Sequence, residues 1–399
     1  MSGARERAPD AGARVTSLDW LRVLALAGAF VFHTLRPFDT DYWHVKSDQR
    51  SEVLTVVLVW LATWGLAFFF LVSGAGAHLA LRHRSAGRFA HERMLRLAVP
   101  LAVGWLLLGP PQLWLEVHHH EISAASFVEM TERFLRDPLT APPLLLNHTY
   151  ALWFLVFLLE FSLIGLPLFG WLRRPAGRRA LIGLGRLGDR RGGVLLLFVP
   201  VAVITLPLAG QAFGDHNWSQ WVYFFAFFVL GHVVAASPSL LAAVRRDALP
   251  ALVLGVAGLA GALALDAPSV LADWDGSWSL RPVLIFVLIA AQAWGWVLAV
   301  WGGGMRLPAF RRPLPRVLGD AAMPFFVLHQ PVILAVAYVA VGRGLGIPAT
   351  WLLIAVPSLG VTAALAVAAG RTPGVRRLLG VTRRTRRRPG VVLPAGRRG

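Results

Sequence analysis

Apolar residues along this chain come in ten runs, each able to carry a helix of about 20 residues, the length that crosses a bilayer core. The runs lie near 17–36, 53–80, 97–115, 150–171, 193–213, 219–237, 249–266, 281–301, 317–341 and 350–370. Charged residues fall mostly between the runs, which predicts an all-α, polytopic membrane bundle. The expected organisation is an amino tail over 1–16, one membrane domain over 17–370 and a basic tail over 371–399, flexible and held near anionic lipid.

Composition agrees with the pattern. The chain is 56% hydrophobic and 15% charged with a mean hydropathy of +0.60, too apolar for a soluble globule. It contains no cysteine, which excludes disulfides, thiolate nucleophiles and Cys-ligated metals. The first fifteen residues lack the apolar core of a signal peptide, so the first helix is expected to be retained.

The net charge of +18 takes its meaning from position. Counted alternately, the amino tail, the loops near 81–96, 172–192, 238–248 and 302–316, and the carboxyl tail hold roughly 31 of the 39 Lys and Arg residues. The other five loops hold about seven. Both termini are therefore expected in the cytoplasm, with the chain in the inner membrane, and the charge reads as a topology device rather than a nucleic-acid surface.

Candidate chemistry starts in the first run, SLDWLRVLALAGAFVFHTL. Ionisable groups inside a membrane span are expensive and mark function. Arg22 and His33 are eleven residues apart, three helical turns plus roughly 20°, so both leave one face about 16 Å apart along the axis. Asp19 lies on the same stripe and can pair with Arg22. The imidazole of His33 is suited to general-base work near neutral pH.

Arg93 and Arg96, spaced i and i+3 at the mouth of the third run, share a face on a regular helix and can clamp a phosphate. Ser73 opens the small-residue stretch Ser73-Gly74-Ala75-Gly76, which reads as close packing before it reads as a nucleophile. Glu160 is the most central acid, available to orient His33 or Arg22 or to pair elsewhere. His329 sits beside Gln330 and Pro331, where an interrupted helix is expected. Trp43, His44 and the acids of RPFDTDYWHVKSD form an aromatic, polar surface of the kind that holds sugars. The triplet His118 to His120 lies in an expected outer loop without fixed geometry, and no metal site is assigned to it.

Several of these stretches resemble one family, the type 3 membrane acyltransferases. LDWLRVLALAGAFVFHTLRPF looks like that family's first helix, an arginine and a histidine separated by ten residues, matched by Arg22 and His33. ERMLRL matches its Arg-x-x-Arg, giving Arg93 and Arg96. FFFLVSG, with Ser73, resembles the end of its second helix, ALWFL, with Trp153, the start of its fourth, and FFVLHQPV, with His329, a late helix.

The resemblance implies transfer of an acetyl or succinyl group from cytoplasmic acyl-CoA, a donor substrate rather than a bound cofactor, to a hydroxyl of a glycan. By resemblance His33 is the catalytic histidine and Arg93 and Arg96 hold the CoA phosphates. The wording of the first helix looks most like the branch with glucan succinyltransferases. Ala75 stands where many members carry phenylalanine, and no hydrolase-like domain follows the tenth run, so any second transfer step is expected to need another protein.

Arg22 is expected to steady the donor arm or its phosphates. Direct transfer with His33 as base is preferred over an acyl-histidine intermediate. The competing reading is a secondary transporter of a small polar solute, which would show paired halves or broken helices.

Overall fold

The computed structural model describes residues 11–140, 142–144, 146–208, 216–272 and 279–381, and within these residues the regular structure is helical. Eight helical segments are long and apolar enough to cross a membrane: Ser17–Phe38, Glu52–Leu81, Ala86–His119, Tyr150–Trp171, Trp218–Ala236, Leu280–Arg306, Arg316–Arg343 and Ile347–Arg371. The chain is a multi-pass membrane protein, and the side chains on its outer surface are accordingly apolar, with Val53, Leu107, Val203, Leu249 and Val356 all exposed.

Two of the ten predicted runs depart from a regular span. The run at 193–213 is a short apolar helical segment, Gly193–Leu208, whose first and last turns are 3₁₀; Pro200 and Pro207 each remove a backbone donor there, and residues 209–215 lie outside the described residues. The run at 249–266 is the second half of a pair, Pro238–Arg246 and Ala248–Ala264, bent by 69°. The bend falls at Arg246 and Asp247, charged residues that the hydropathy pattern reads as a connection between runs.

In chain order the α-helices are α1 (Ala11–Leu35), α2 (Glu52–Leu81), α3 (Ala86–Arg93), α4 (Val99–His119), α5 (Phe127–Arg136), α6 (Trp153–Trp171), α7 (Pro175–Asp189) and α8 (Phe198–Thr205). They continue as α9 (Trp218–Ala236), α10 (Pro238–Arg246), α11 (Ala248–Ala264), α12 (Ala267–Ala272), α13 (Leu280–Arg306), α14 (Arg316–Ala340), α15 (Ile347–Arg371) and α16 (Pro373–Leu378). Ordered structure therefore runs past residue 371, with Leu379 and Val381 buried; the rest of the basic tail lies outside the described residues.

Three helix pairs dominate the packing: α2 with α9, α11 with α13, and α14 with α15. The first explains the small-residue stretch. A Cβ on Gly74 would overlap the Phe228 carbonyl oxygen, and one on Gly231 would overlap that of Leu71, so the two backbones touch where each helix has no side chain. A core of phenylalanines, including Phe70, Phe157, Phe161, Phe224 and Phe228, fills the space among α2, α6 and α9. Helix α1 packs on the other side of α2 and against α14, with fewer contacts to α15. Its polar stripe is thereby brought into the bundle.

Candidate functional site

The stripe on α1 has two ends. At the first, Arg22 Nη1 and Asp19 Oδ1 pair at 2.7 Å, as the spacing predicts. The guanidinium lies directly against α2 at Gly76, where a Cβ would collide with Nη2. Two of the four small residues at 73–76 thus have separate jobs: Gly74 admits α9 and Gly76 admits Arg22. Ser73 is half-buried beside them.

Arg93 closes α3 and carries Arg22, Arg96, Arg84 and Glu92 in its electrostatic surroundings. Arg84 and Arg88 are both tied to Glu92, at 2.9 and 3.1 Å, whereas the Arg93 guanidinium stands 5.0 Å over the Phe89 ring. Arg93 and Arg96 do not sit on a regular α-helix as the spacing suggests. Residues Met94–Ala98 form a π-helical turn, which widens the angle between them. The local cause is Pro100, which has no N–H to offer the carbonyl of Arg96 four residues earlier. Gly380, with φ of 71°, packs on that carbonyl: a Cβ at Gly380 would lie 2.7 Å from it. The carboxyl end of the described chain therefore buttresses this turn, a contact without a signal in the local sequence.

At the other end of the stripe His33 meets α14. Its ring centroid is 5.2 Å from that of His329 and 6.3 Å from Trp43, the latter nearly parallel at 21°. His33 Nδ1 is buried and finds no hydrogen-bond partner among the described residues. His329 is fully buried, with Nδ1 2.6 Å from the Phe326 carbonyl oxygen. A carbonyl can only accept, so in the neutral ring Nδ1 carries the hydrogen and Nε2 keeps its lone pair. That Nε2 is likewise buried and unpartnered. The expected interruption at His329 is absent: α14 continues through Pro324 and Pro331, so the histidine is placed by a continuous helix.

Glu160 meets neither His33 nor Arg22. It accepts a hydrogen bond from Trp221 Nε1 at 2.7 Å, a pairing with α9 set by helix packing. Trp153 is buried in the aromatic core, against His216 at 4.5 Å and Phe157 at 5.3 Å.

The segment after α1 is folded down over His33 by a buried ion cluster. Asp39, with a fully buried side chain, takes Arg36 Nη1 on one oxygen and Lys46 Nζ on the other, both at 2.5 Å. Lys46 Nζ also donates to the carbonyls of Asp39 and Arg36. Burial pushes the Asp39 carboxyl up and the Lys46 ammonium down from their usual ranges, and the pairing opposes both. Replacing Asp39 by alanine strands the ammonium and is expected to cost about 3–5 kcal/mol locally; hydrogen exchange over residues 36–51 would accelerate, and unchanged protection would contradict the role.

Against this segment the three histidines of the triplet are ordered rather than loose. His118 Nδ1 lies 2.9 Å from the Trp114 carbonyl, His119 Nε2 accepts from the Lys46 N–H at 2.8 Å, and His120 Nε2 lies 2.9 Å from the Trp43 carbonyl. Because α4 extends to His119, His119 and His120 form a clasp between α4 and the segment after α1, while His118 turns back onto α4 itself.

One residue that the sequence did not single out stands at the centre of this end. Glu116 Oε1 accepts from Tyr42 at 2.6 Å, Oε2 accepts from Tyr150 at 2.9 Å, and His44 Nδ1 lies 3.0 Å from Oε2. Partial burial, then the bond to Glu116, holds the Tyr42 phenol above its usual range, so it stays a donor. Tyr150 reaches the carboxylate from a left-handed backbone with φ of 48°, and His148 two residues before it has φ of 47°. Such conformations cost about 1–3 kcal/mol each and persist where surrounding contacts impose them.

A family model described as an acyltransferase domain matches residues 15–371. Glucans biosynthesis protein C of Salmonella agona (strain SL483) and that of Salmonella enteritidis PT4 (strain P125109) are each 22% identical to the chain over 232 residues, 56% of its length. The match spans 59% of the length of those relatives. No solved structure matches the chain.

Proposed function

The chain belongs to the acyltransferase family whose model covers residues 15–371, and from that premise we propose that it moves an acetyl or succinyl group from acyl-CoA to a hydroxyl of a glycan. The observation that carries this reading is the division of labour along one face of α1. Arg22 stands among arginines at one end, and a half-buried imidazole whose Nδ1 is buried and unpartnered among the described residues stands roughly 16 Å further along.

A nucleotide headgroup with its phosphates is too polar to enter the bilayer, and Arg93, Arg96 and Arg22 supply cationic donors for it at the bundle's end. The excess of Lys and Arg in the connections at that end supports a cytoplasmic face and an inner-membrane location. The extended pantetheine arm then runs along α1 and carries the thioester toward His33. The chemistry at that point is direct transfer. His33 takes the proton of the acceptor hydroxyl as its oxygen attacks the thioester carbonyl; the C–S bond breaks, and the proton passes to the departing CoA thiolate. His329 is the positioning residue. Its ring lies 5.2 Å from that of His33, and once the two rings turn together its lone-pair Nε2 would take the hydrogen of His33 Nδ1, leaving His33 Nε2 as the base. The glycan acceptor is supported by the relatives, whose name places them in glucan biosynthesis.

Purified protein incubated with labelled succinyl-CoA or acetyl-CoA and glucose oligosaccharides is expected to release CoA and label the saccharide. Arg93→Ala combined with Arg96→Ala removes charge-assisted bonds of about 1.5–3 kcal/mol each, so the donor KM should rise at least ~100-fold with a smaller change in kcat. A donor KM that stays where it was would remove these arginines from the site.

A further inference from the structure

Glu116 is an acid at the end of a membrane span, and among the described residues its partners are two phenols and an imidazole rather than a lysine or arginine. They come from separate parts of the chain: Tyr42 and His44 from the segment after α1, Tyr150 from the entry to α6. An ionised carboxylate offers about four acceptor positions, and these three partners leave it room for another donor. The group is not sealed, since the side chains of Glu116 and His44 are 12% and 21% exposed and Tyr42 is 63% exposed.

Aromatic faces surround it. The His44 and Tyr150 rings are 4.6 Å apart, Trp43 is 5.6 Å from His44, and the other neighbour of Trp43 is His33. A carboxylate, two phenols and an imidazole set among flat rings suit a molecule with many hydroxyls and an apolar C–H face. That is the chemistry of a sugar ring, and a site of aromatic walls with a few placed polar groups is how such ligands are oriented. A charged headgroup or a peptide would call for a fixed counter-charge or a row of backbone groups.

We propose that Glu116, with Tyr42, Trp43, His44 and Tyr150, forms the carbohydrate subsite that receives the acceptor, holding one sugar residue so that a hydroxyl projects past Trp43 to His33. Its purpose rests on the acyl-transfer reading, but binding itself does not. Glu116 accepts a hydrogen bond from a sugar hydroxyl, and Tyr42, the most exposed ring of the group, provides a face for the sugar, with the buried Trp43 ring backing His33. Specificity at this point is for the acceptor, since the donor's charged end is held at the opposite end of α1.

The test is direct binding by the full-length protein in detergent, with a glucose pentasaccharide as probe, followed by calorimetry. Wild type is expected to bind, Glu116→Gln to bind at least tenfold more weakly, and Tyr150→Phe, which removes only one phenol, to fall between them. Both variants are first checked for an unchanged size-exclusion profile, and Tyr150→Phe decides the matter if Glu116→Gln fails that check. In transfer assays the same variants should raise the acceptor KM. Binding unaffected in both variants, alongside His33-dependent transfer, would overturn the subsite and leave the acyltransferase reading intact. Saccharide binding that depends on Glu116, with no CoA released from any acyl-CoA, would support the subsite and remove that reading. Binding of glycerophosphate or a short peptide in place of all saccharides tried would also overturn it.

Discussion

Replacing His33 by alanine lowers the rate of acyl transfer about 10²–10⁴-fold, the range that a positioned general base contributes, while the donor KM changes little. The expectation follows from geometry. The imidazole is the ionisable group on the α1 stripe that lies away from the arginines, and its Nδ1 is buried without a partner beside His329. Removing the ring removes the proton acceptor and leaves the arginine end untouched. Labelled CoA release at saturating donor measures the effect, with the thermal midpoint in detergent showing that the bundle persists. A variant that retains most of its rate would end the assignment of His33 as the base.

The second large effect is structural. Gly74→Ala is expected to prevent α2 and α9 from closing, because the added methyl occupies the position of the Phe228 carbonyl oxygen and the obstacle is backbone on both sides. Overpacking against movable side chains costs about 1–3 kcal/mol, and here no rotamer change relieves the overlap. The same substitution at Gly28 meets nothing within 4 Å and should be neutral or stabilising by up to about 1 kcal/mol. The pair is compared by thermal midpoint and by yield of monodisperse protein. Equal behaviour of the two variants would mean that the α2–α9 contact is looser than the structure shows.

The membrane bundle, the polar stripe of α1 and the Asp19–Arg22 pair were all legible in the sequence, because each depends on spacing within a helix. Helical periodicity ties residues three, four or eleven apart to one face whatever the rest of the chain does. Arg93 and Arg96 depart from that regular spacing, since a π turn before Pro100 separates them. The packing role expected of the small residues at 73–76 is met by Gly74 and Gly76, each against a different neighbour.

What lay beyond reach were the meetings between helices. His329 comes to His33 from far along the chain, Glu160 turns to Trp221 rather than to the stripe, and Glu116 gathers Tyr42, His44 and Tyr150 from separate segments. The physical reason is that lipid and protein interior are equally apolar, so hydropathy marks which residues enter the membrane but not which side of a helix faces a neighbour. That choice belongs to close packing, where Gly74 against Phe228 and Gly76 against Arg22 set how α1, α2 and α9 lie. The sequence by itself determined the spans and the order of groups along α1; the tertiary structure alone decided which groups from distant helices stand beside them.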